Sequence, residues 1–199
     1  MGVARPRTIT DERILAAAGA VISRMGPAFT LADVAGEAGV AAGTLVHRFG
    51  SRHGLLVAMT RAAVGSVRQG MRAAAAGVDD PVAAIVRALT GPYAALDDPG
   101  TAANNLAQLA ADLADDELRG LVAELWAGME AELRPLLRRA AGAGCLPGAP
   151  PVALAARILT ALADGTAIHW SARPAGGLCE RLRAELEAVL AGWRSRPST

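Results

Sequence analysis

The sequence predicts an all-α fold: an N-terminal three-helix unit containing a helix-turn-helix, then a larger helical body, about nine helices in all. Three observations predict it. Alanine, leucine and arginine abound, and no useful length alternates β-branched with polar residues. Thr, Ser or Asp repeatedly precedes an apolar run that Gly or Pro then ends. Apolar residues recur at steps of three and four, the spacing of one helix face. With 199 residues, 52% of them hydrophobic, the chain can bury a substantial core.

The elements follow in order. Thr10 caps a first helix, with Asp11 and Glu12 in its first turn against the helix dipole, and Gly26-Pro27 ends it. Thr30 with Asp33 three residues on has capping-box spacing and opens a short helix that Gly39 closes. A third helix runs to Phe49, and Ser51 caps a long fourth helix reaching about Ala76. Later starts are expected at Asp80-Pro81, Thr101, Asp116-Glu117, Pro150-Pro151 and near Gly176-Gly177, with proline favoured just inside a helix because its missing N–H is unpaired there anyway. We place the boundary of the three-helix domain at residue 55 and assign residues 56–199 to the body.

All twenty basic side chains are arginine. Residues 1–72 hold nine of them against four acids, a net of +5, whereas the remainder carries eleven against fifteen, a net of −4. A basic end suits a polyanion, although arginines scattered over a solvated face give the same count. Cys145 and Cys179 stand alone, without C-x-x-C or histidine at ligand spacing, so no zinc site, disulfide framework or cofactor is implied, and a reducing cytoplasmic setting fits. Arg5 and Arg7 ahead of an apolar run imitate a secretion signal, but Asp11, Glu12 and Arg13 interrupt it and its apolar positions have helical spacing. No run of about eighteen uncharged apolar residues occurs, so no membrane span is expected.

In the first unit, Val34, Ala35, Ala38, Val40, Leu45 and Phe49 can face Ile14, Ala18 and Met25, which leaves Ala41, Ala42, Gly43, Thr44, Val46, His47 and Arg48 largely free. A helix sinking between phosphate ridges tolerates little bulk in its leading turn. Thr44 can donate to a phosphate or base, Val46 can touch a thymine methyl, and His47 and Arg48 can reach phosphate or a purine edge. Arg52 would lie beside the phosphate-attracting N–H groups that open the fourth helix. On spacing alone, an alanine-rich helix pair is equally well plain core.

The ordered stretches "ERILAAAGAVISRMG", "FTLADVAGEAGV", "GTLVHRF" and "SRHGLL" resemble the DNA-binding domain of the TetR family of transcriptional regulators, from Thr10 to about Met59. The resemblance implies a recognition helix from about Ala41 to Phe49 and DNA contacts at Thr30, Thr44, His47 and Arg52, which Ala42, Gly43, Val46 and Arg48 of the uncovered helix face join as the candidate DNA-binding set. It further implies a homodimeric repressor that binds an operator in double-stranded DNA and is released by a small-molecule effector. Two departures are visible: Ala41 stands where a polar cap is usual, a loss of about 1 kcal/mol, and Val46 replaces the tyrosine usual after "GTL", removing a phosphate contact.

Two half-sites about 34 Å apart need two recognition helices, hence a dimer. One candidate seam is the stripe Leu154, Ile158, Ala161, Gly165 and Ile168; another is Leu178, Leu182, Leu186, Val189 and Trp193. Each is continuous at steps of three and four and could equally face its own core. For the effector site the candidates are Tyr93, Asn104, Gln108, Asp112, Trp126 and Met129. Asn104, Gln108 and Asp112 share one helix face, which is either solvated or lines an apolar cavity with a few polar anchors. Asp164, His169 and Trp170 read equally as buried dimer-helix groups or as ligand groups. Six aromatics in the whole chain disfavour a cage for a large planar cation and leave a small or aliphatic effector.

The competing reading is a helical small-molecule-binding protein or enzyme that binds no DNA. Against an enzyme, the three histidines, His47, His53 and His169, form no Ser-His-acid or HExxH pattern, and no glycine-rich phosphate loop occurs.

Overall fold

The computed structural model describes residues 9–195, so Arg5 and Arg7 lie outside the described residues. Within them are nine α-helices and no strand: α1 (Asp11–Met25), α2 (Leu31–Ala38), α3 (Ala42–Phe49), α4 (Arg52–Ala75), α5 (Pro81–Thr90), α6 (Pro99–Ala114), α7 (Asp116–Gly142), α8 (Val152–Ala172) and α9 (Leu178–Trp193). The all-helical architecture expected from the caps is the one found.

Local chemistry sets most boundaries. The Thr10 hydroxyl accepts from the Arg13 N–H, Ser51 from Gly54 and Asp80 from Val82, each satisfying a donor that the first helical turn leaves unpaired. Thr30 and Asp33 form the full reciprocal capping box. Gly39 closes α2 with φ +70°, a left-handed conformation that disfavours a β-carbon. α6 begins at Pro99, two residues before the expected Thr101, because Asp98 is the cap and accepts the Thr101 N–H at 2.8 Å. The start of α9 has no cap of its own; the Asp97 carboxylate, from the end of a 3₁₀ turn at Gly91–Leu96, accepts the Leu178 N–H.

Two buried clusters organise the chain. The smaller joins Ile14, Ala18, Val21 and Ile22 of α1 to Val34 and Ala35 of α2, Leu45 of α3, Leu55 to Val57 of α4, and Leu118 and Leu121 of α7. Met25, expected here, is exposed instead, in the last turn of α1. The larger cluster fills the space among α4, α5, α7, α8 and α9 around Ile85, Leu89, Leu133, Leu159, Trp170 and Leu186. α4 feeds both, Leu55 and Leu56 at one end and Met71 and Ala75 at the other. α4 and α7 lie alongside each other, clamped where the Glu132 carboxylate receives Arg68 at 2.8 Å and Arg72 at 3.2 Å. α8 alone among the described helices is long and apolar enough to cross a membrane, but it packs against α6, α7 and α9.

Candidate nucleic-acid interface and effector cavity

α2 and α3 meet through the turn at Gly39 to Ala41, and Leu45 is the fully buried anchor that pins α3 to the small core. Ala41 makes no side-chain cap, as its residue type requires. The opposite face of α3 is open: Ala42, Gly43, Val46 and His47 are exposed, and Val46, at 51%, is the most exposed large apolar side chain among the described residues. Thr44 is half-buried on the same side. Thr30 is exposed, but its hydroxyl is engaged with Asp33, donating to the carboxylate at 2.7 Å and accepting the N–H at 3.2 Å. Behind α3, Gly54 touches the end of the helix, and a β-carbon there would run into the Phe49 carbonyl oxygen.

Two arginines expected on this face are engaged within the protein. Arg48 turns back to Asp11 of α1, Nη1 to Oδ1 at 2.8 Å, and leaves its side chain only 22% exposed. Arg52 turns inward altogether. Its Nη2 donates to the Pro27 carbonyl at 2.8 Å, its Nε to the Phe29 carbonyl at 3.1 Å, and its guanidinium lies over the Phe29 ring. A planar five-donor group is suited to tie together a turn whose carbonyls have no helical partner. Both arginines therefore serve the integrity of the three-helix unit, and the open face of α3 is smaller and less basic than composition suggested.

A trough lies between α6, α7 and α8. Its inner lobe, about 280 Å³, is lined by Tyr93, Leu96, Asn105, Leu106, Leu125 and Asp164 among others. Its outer lobe, about 580 Å³, adds Leu113, Trp126, Glu130, Arg157, Thr160 and Ala161. Leu106, Leu109, Asp164 and Ile168 belong to both lobes, so the two adjoin, and both are mostly apolar. Such a cavity, apolar with a few convergent polar groups, is the usual form of a small-molecule site.

Asp164 is the polar centre of the trough. The Tyr93 hydroxyl donates to its Oδ1 at 2.6 Å. Burial pushes the carboxyl above its ordinary value, while the hydrogen bond from Tyr93 opposes the rise. Burial, with the neighbouring Asp164 charge, likewise holds the Tyr93 hydroxyl well above the usual phenol range. One turn before Asp164, the Thr160 hydroxyl is buried and has no hydrogen-bond partner among the described residues. An unmade bond of that kind costs about 1–3 kcal/mol.

Of the six expected effector residues, Tyr93 and Trp126 line the trough. The other four do not. Met129 is buried in the larger core. Asn104, Gln108 and Asp112 line no part of the trough; Gln108 is buried and the other two half-buried on the side where α6 packs against α1 and the turn that follows it. Asn104 Nδ2 donates to the Ser23 carbonyl at 2.9 Å. Gln108 Oε1 faces Arg52 Nη2 at 3.5 Å, and its Nε2 donates to Asp112 at 2.6 Å. Burial raises the Asp112 carboxyl above its ordinary value, with Gln108 and Arg52 opposing. Asn105, one residue on, lines the inner lobe and also donates to the Ser23 hydroxyl at 3.3 Å. A second contact between the units sets His53 of α4 against Asp115 at 3.3 Å, and Asp115 is held below the usual carboxylate range by the Leu118 N–H and by His53.

The two candidate seams differ. Leu154, Ile158 and Ile168 are 38%, 37% and 45% exposed, with Ala161 and Gly165 completing an open stripe along α8. The α9 stripe is corrected: Leu178, Leu182 and Leu186 are fully buried, and Val189 and Trp193 pack on the same core, because α9 has a single apolar face and α5 and α8 take it. His169 is exposed near the seam, whereas Trp170 is buried with its indole donating to the Gly176 carbonyl at 3.2 Å.

Comparison with known proteins agrees with this geometry. Residues 14–59 match the bacterial regulatory proteins of the tetR family, and residues 82–194 match the C-terminal domain of BetI-type transcriptional repressors. No curated protein matches the chain. Among solved structures, a TetR-family transcriptional regulator from Rhodococcus sp. is 26% identical, with a TM-score of 0.72 over 93% of this chain and 98% of that one. The TetR regulator SCO0520 from Streptomyces coelicolor is 26% identical, with a TM-score of 0.65 over 96% of this chain and 100% of that one. The regulator FadR from Bacillus subtilis, solved with stearoyl-CoA, shares the fold at 20% identity, with a TM-score of 0.74 over 92% of this chain and 99% of that one. With its helix-turn-helix and its helical C-terminal ligand-binding domain matched in turn, the chain belongs to the TetR family of transcriptional regulators.

Proposed function

We propose that the protein is a homodimeric, cytoplasmic repressor that binds a palindromic operator with residues 1–55 and releases it when a small aliphatic effector enters the body formed by residues 56–199. It acts by binding, not by catalysis. The DNA-facing set is Thr30, Ala42, Gly43, Thr44, Val46 and His47: small residues let α3 enter the major groove, Val46 meets a thymine methyl, and Thr44 and His47 reach phosphate or base edges. The open α8 stripe from Leu154 to Ile168 supplies the seam with a second copy. The complex of the Bacillus subtilis relative with stearoyl-CoA supports an effector with an aliphatic chain.

The observation that carries the reading is the position of α6. Asn105, Leu106 and Leu109 line the trough, while Asn104 and Gln108 hold the three-helix unit. An occupant of the trough that shifts α6 must therefore shift the reading head, and a spacing of recognition helices that no longer fits the operator releases it. Selection of the purified protein against a random duplex DNA library tests the reading. An enriched inverted repeat with half-sites about one helical turn or slightly more apart is expected. A folded dimer that enriches nothing at low salt would leave the protein as a ligand-binding body without operator activity.

A further inference from the structure

Thr160 differs from three other threonines within helices. Thr60, Thr90 and Thr166 each donate to the carbonyl four residues back, at 3.0, 3.0 and 2.8 Å. Thr160, more than nine-tenths buried, does not, and its hydroxyl lies unpartnered on the wall of the trough. Asp164 is one turn further along the same wall, and residues four apart on a helix sit about 5–6 Å from each other. The Asp164 carboxylate has spare acceptor capacity, since two oxygens offer about four lone-pair sites and the Tyr93 hydroxyl supplies one donor.

Charge narrows the occupant. No ion pair within 4.0 Å links Asp164 to an arginine or histidine among the described residues. Arg157 stands seven residues earlier on α8, about 10 Å along the helix axis, and Glu130 is matched by Arg134 at 3.4 Å. The carboxylate at the centre of the trough is therefore left without a counter-ion, in surroundings where charge is poorly screened.

Resting on the reading of the trough as the effector site, we propose that its ligand is a hydrophobic primary amine, the ammonium held between the Asp164 carboxylate and the Thr160 hydroxyl and the alkyl body lying along Leu106, Leu109 and Trp126. An ammonium has three N–H donors, enough to satisfy both groups at once. A quaternary ammonium lacks those donors and would leave the Thr160 hydroxyl without a partner. A carboxylate ligand would be repelled by Asp164, and a neutral alcohol would bond to it but leave its charge uncompensated.

The test titrates the full-length protein at neutral pH with n-octylamine, n-octanol and n-octanoate by calorimetry. Octylamine is expected to bind at least 10-fold more tightly than octanol, with octanoate the weakest. Asp164→Asn, nearly the same shape, should bring the amine down to the octanol level, and Thr160→Val should weaken the amine several-fold, with helical content by circular dichroism confirming that both variants fold. Octanol or octanoate equalling the amine, or an amine preference that survives Asp164→Asn, overturns the proposal. Adding octylamine to the operator complex separates the two readings. Amine preference without operator release leaves the amine site standing and removes its effector role, while no binding by any of the three compounds removes both.

Discussion

The Arg52 guanidinium lies over the ring of Phe29, 4.3 Å from its centroid, while its nitrogens donate to the carbonyls of Pro27 and Phe29. The residue that sequence places at the phosphate is thus a tie between α4 and the turn that precedes α2. Arg52→Ala should destabilise the protein by about 1–3 kcal/mol in denaturant unfolding, the range for charge-assisted bonds to groups left unpaired. It should leave the salt dependence of DNA binding unaltered, since a lost phosphate contact would lower the slope by about one unit. A lowered slope in a variant of normal stability would return Arg52 to the DNA.

His47 offers the contrast. It is exposed and forms no ion pair among the described residues. His47→Ala should weaken operator binding about 10-fold or more, as loss of a base-edge or phosphate contact of about 1–3 kcal/mol does, with an unchanged melting temperature. Equal binding by His47→Ala and the parent in an electrophoretic shift assay would remove this residue from the interface.

The α6 junction should carry coupling, not affinity. Asn104→Ala combined with Gln108→Ala removes the bonds to Ser23 and Arg52 without touching the trough lining. Couplings of this kind are typically 5–150-fold, and the double variant should reduce the factor by which effector weakens operator binding several-fold while effector affinity in the absence of DNA stays within twofold. Matched titrations decide it, and by linkage operator must weaken effector by the same factor.

On the seam, Ile158→Asp places a charge on the open face of α8 and should yield a folded monomer by sedimentation, with operator affinity down by more than 100-fold, because two half-sites are no longer read together. Leu182→Asp, at a fully buried position, should instead fail to fold. A dimeric Ile158→Asp protein would move the seam elsewhere.

Asp164 also sets a pH dependence of stability. Its carboxyl is raised in the folded state by burial, so the folded protein holds that proton more tightly than the unfolded chain does. Stability from this group is present in acid and is lost as pH rises through the folded value. Asp164→Asn suffers no such loss. The variant should melt at a higher temperature than the parent at neutral pH, and the gap should close below about pH 3.9, the unfolded carboxylate value. A gap that persists in acid would assign the difference to packing.

Much of the fold is legible because helix ends are local chemistry. Thr10, Thr30 with Asp33, Ser51 and Asp80 cap what they are expected to cap. α6 starts ahead of the expected Thr101 because Asp98-Pro99, the same pairing as Asp80-Pro81, supplies the cap and the first helical residue. Spacing, by contrast, identifies an apolar face without saying what faces it. The stripes on α8 and α9 look alike in sequence, yet α8 carries a second apolar face, Ala155, Leu159, Ala163 and Trp170, which satisfies the core and leaves the first one open. The α6 row offered solvent or cavity as its environment, and docking on another unit lay outside what one helix's periodicity can express. For Arg52 and Arg48, charge suggested phosphate, whereas the partners that hold them, Phe29 and Asp11, are 23 and 37 residues away in the chain.

The contact of Gly54 with the Phe49 carbonyl welds the end of α3 to the start of α4, and Leu45 fixes the rest of the helix from within. The side chains of Ala42, Val46 and His47, and the bare Gly43, take no part in that weld. Such a layout separates inheritance of the scaffold from inheritance of the address it reads: in a lineage descended from this chain, substitutions on the outer side of α3 could redirect the protein to other promoters one residue at a time, without passing through an unfolded ancestor.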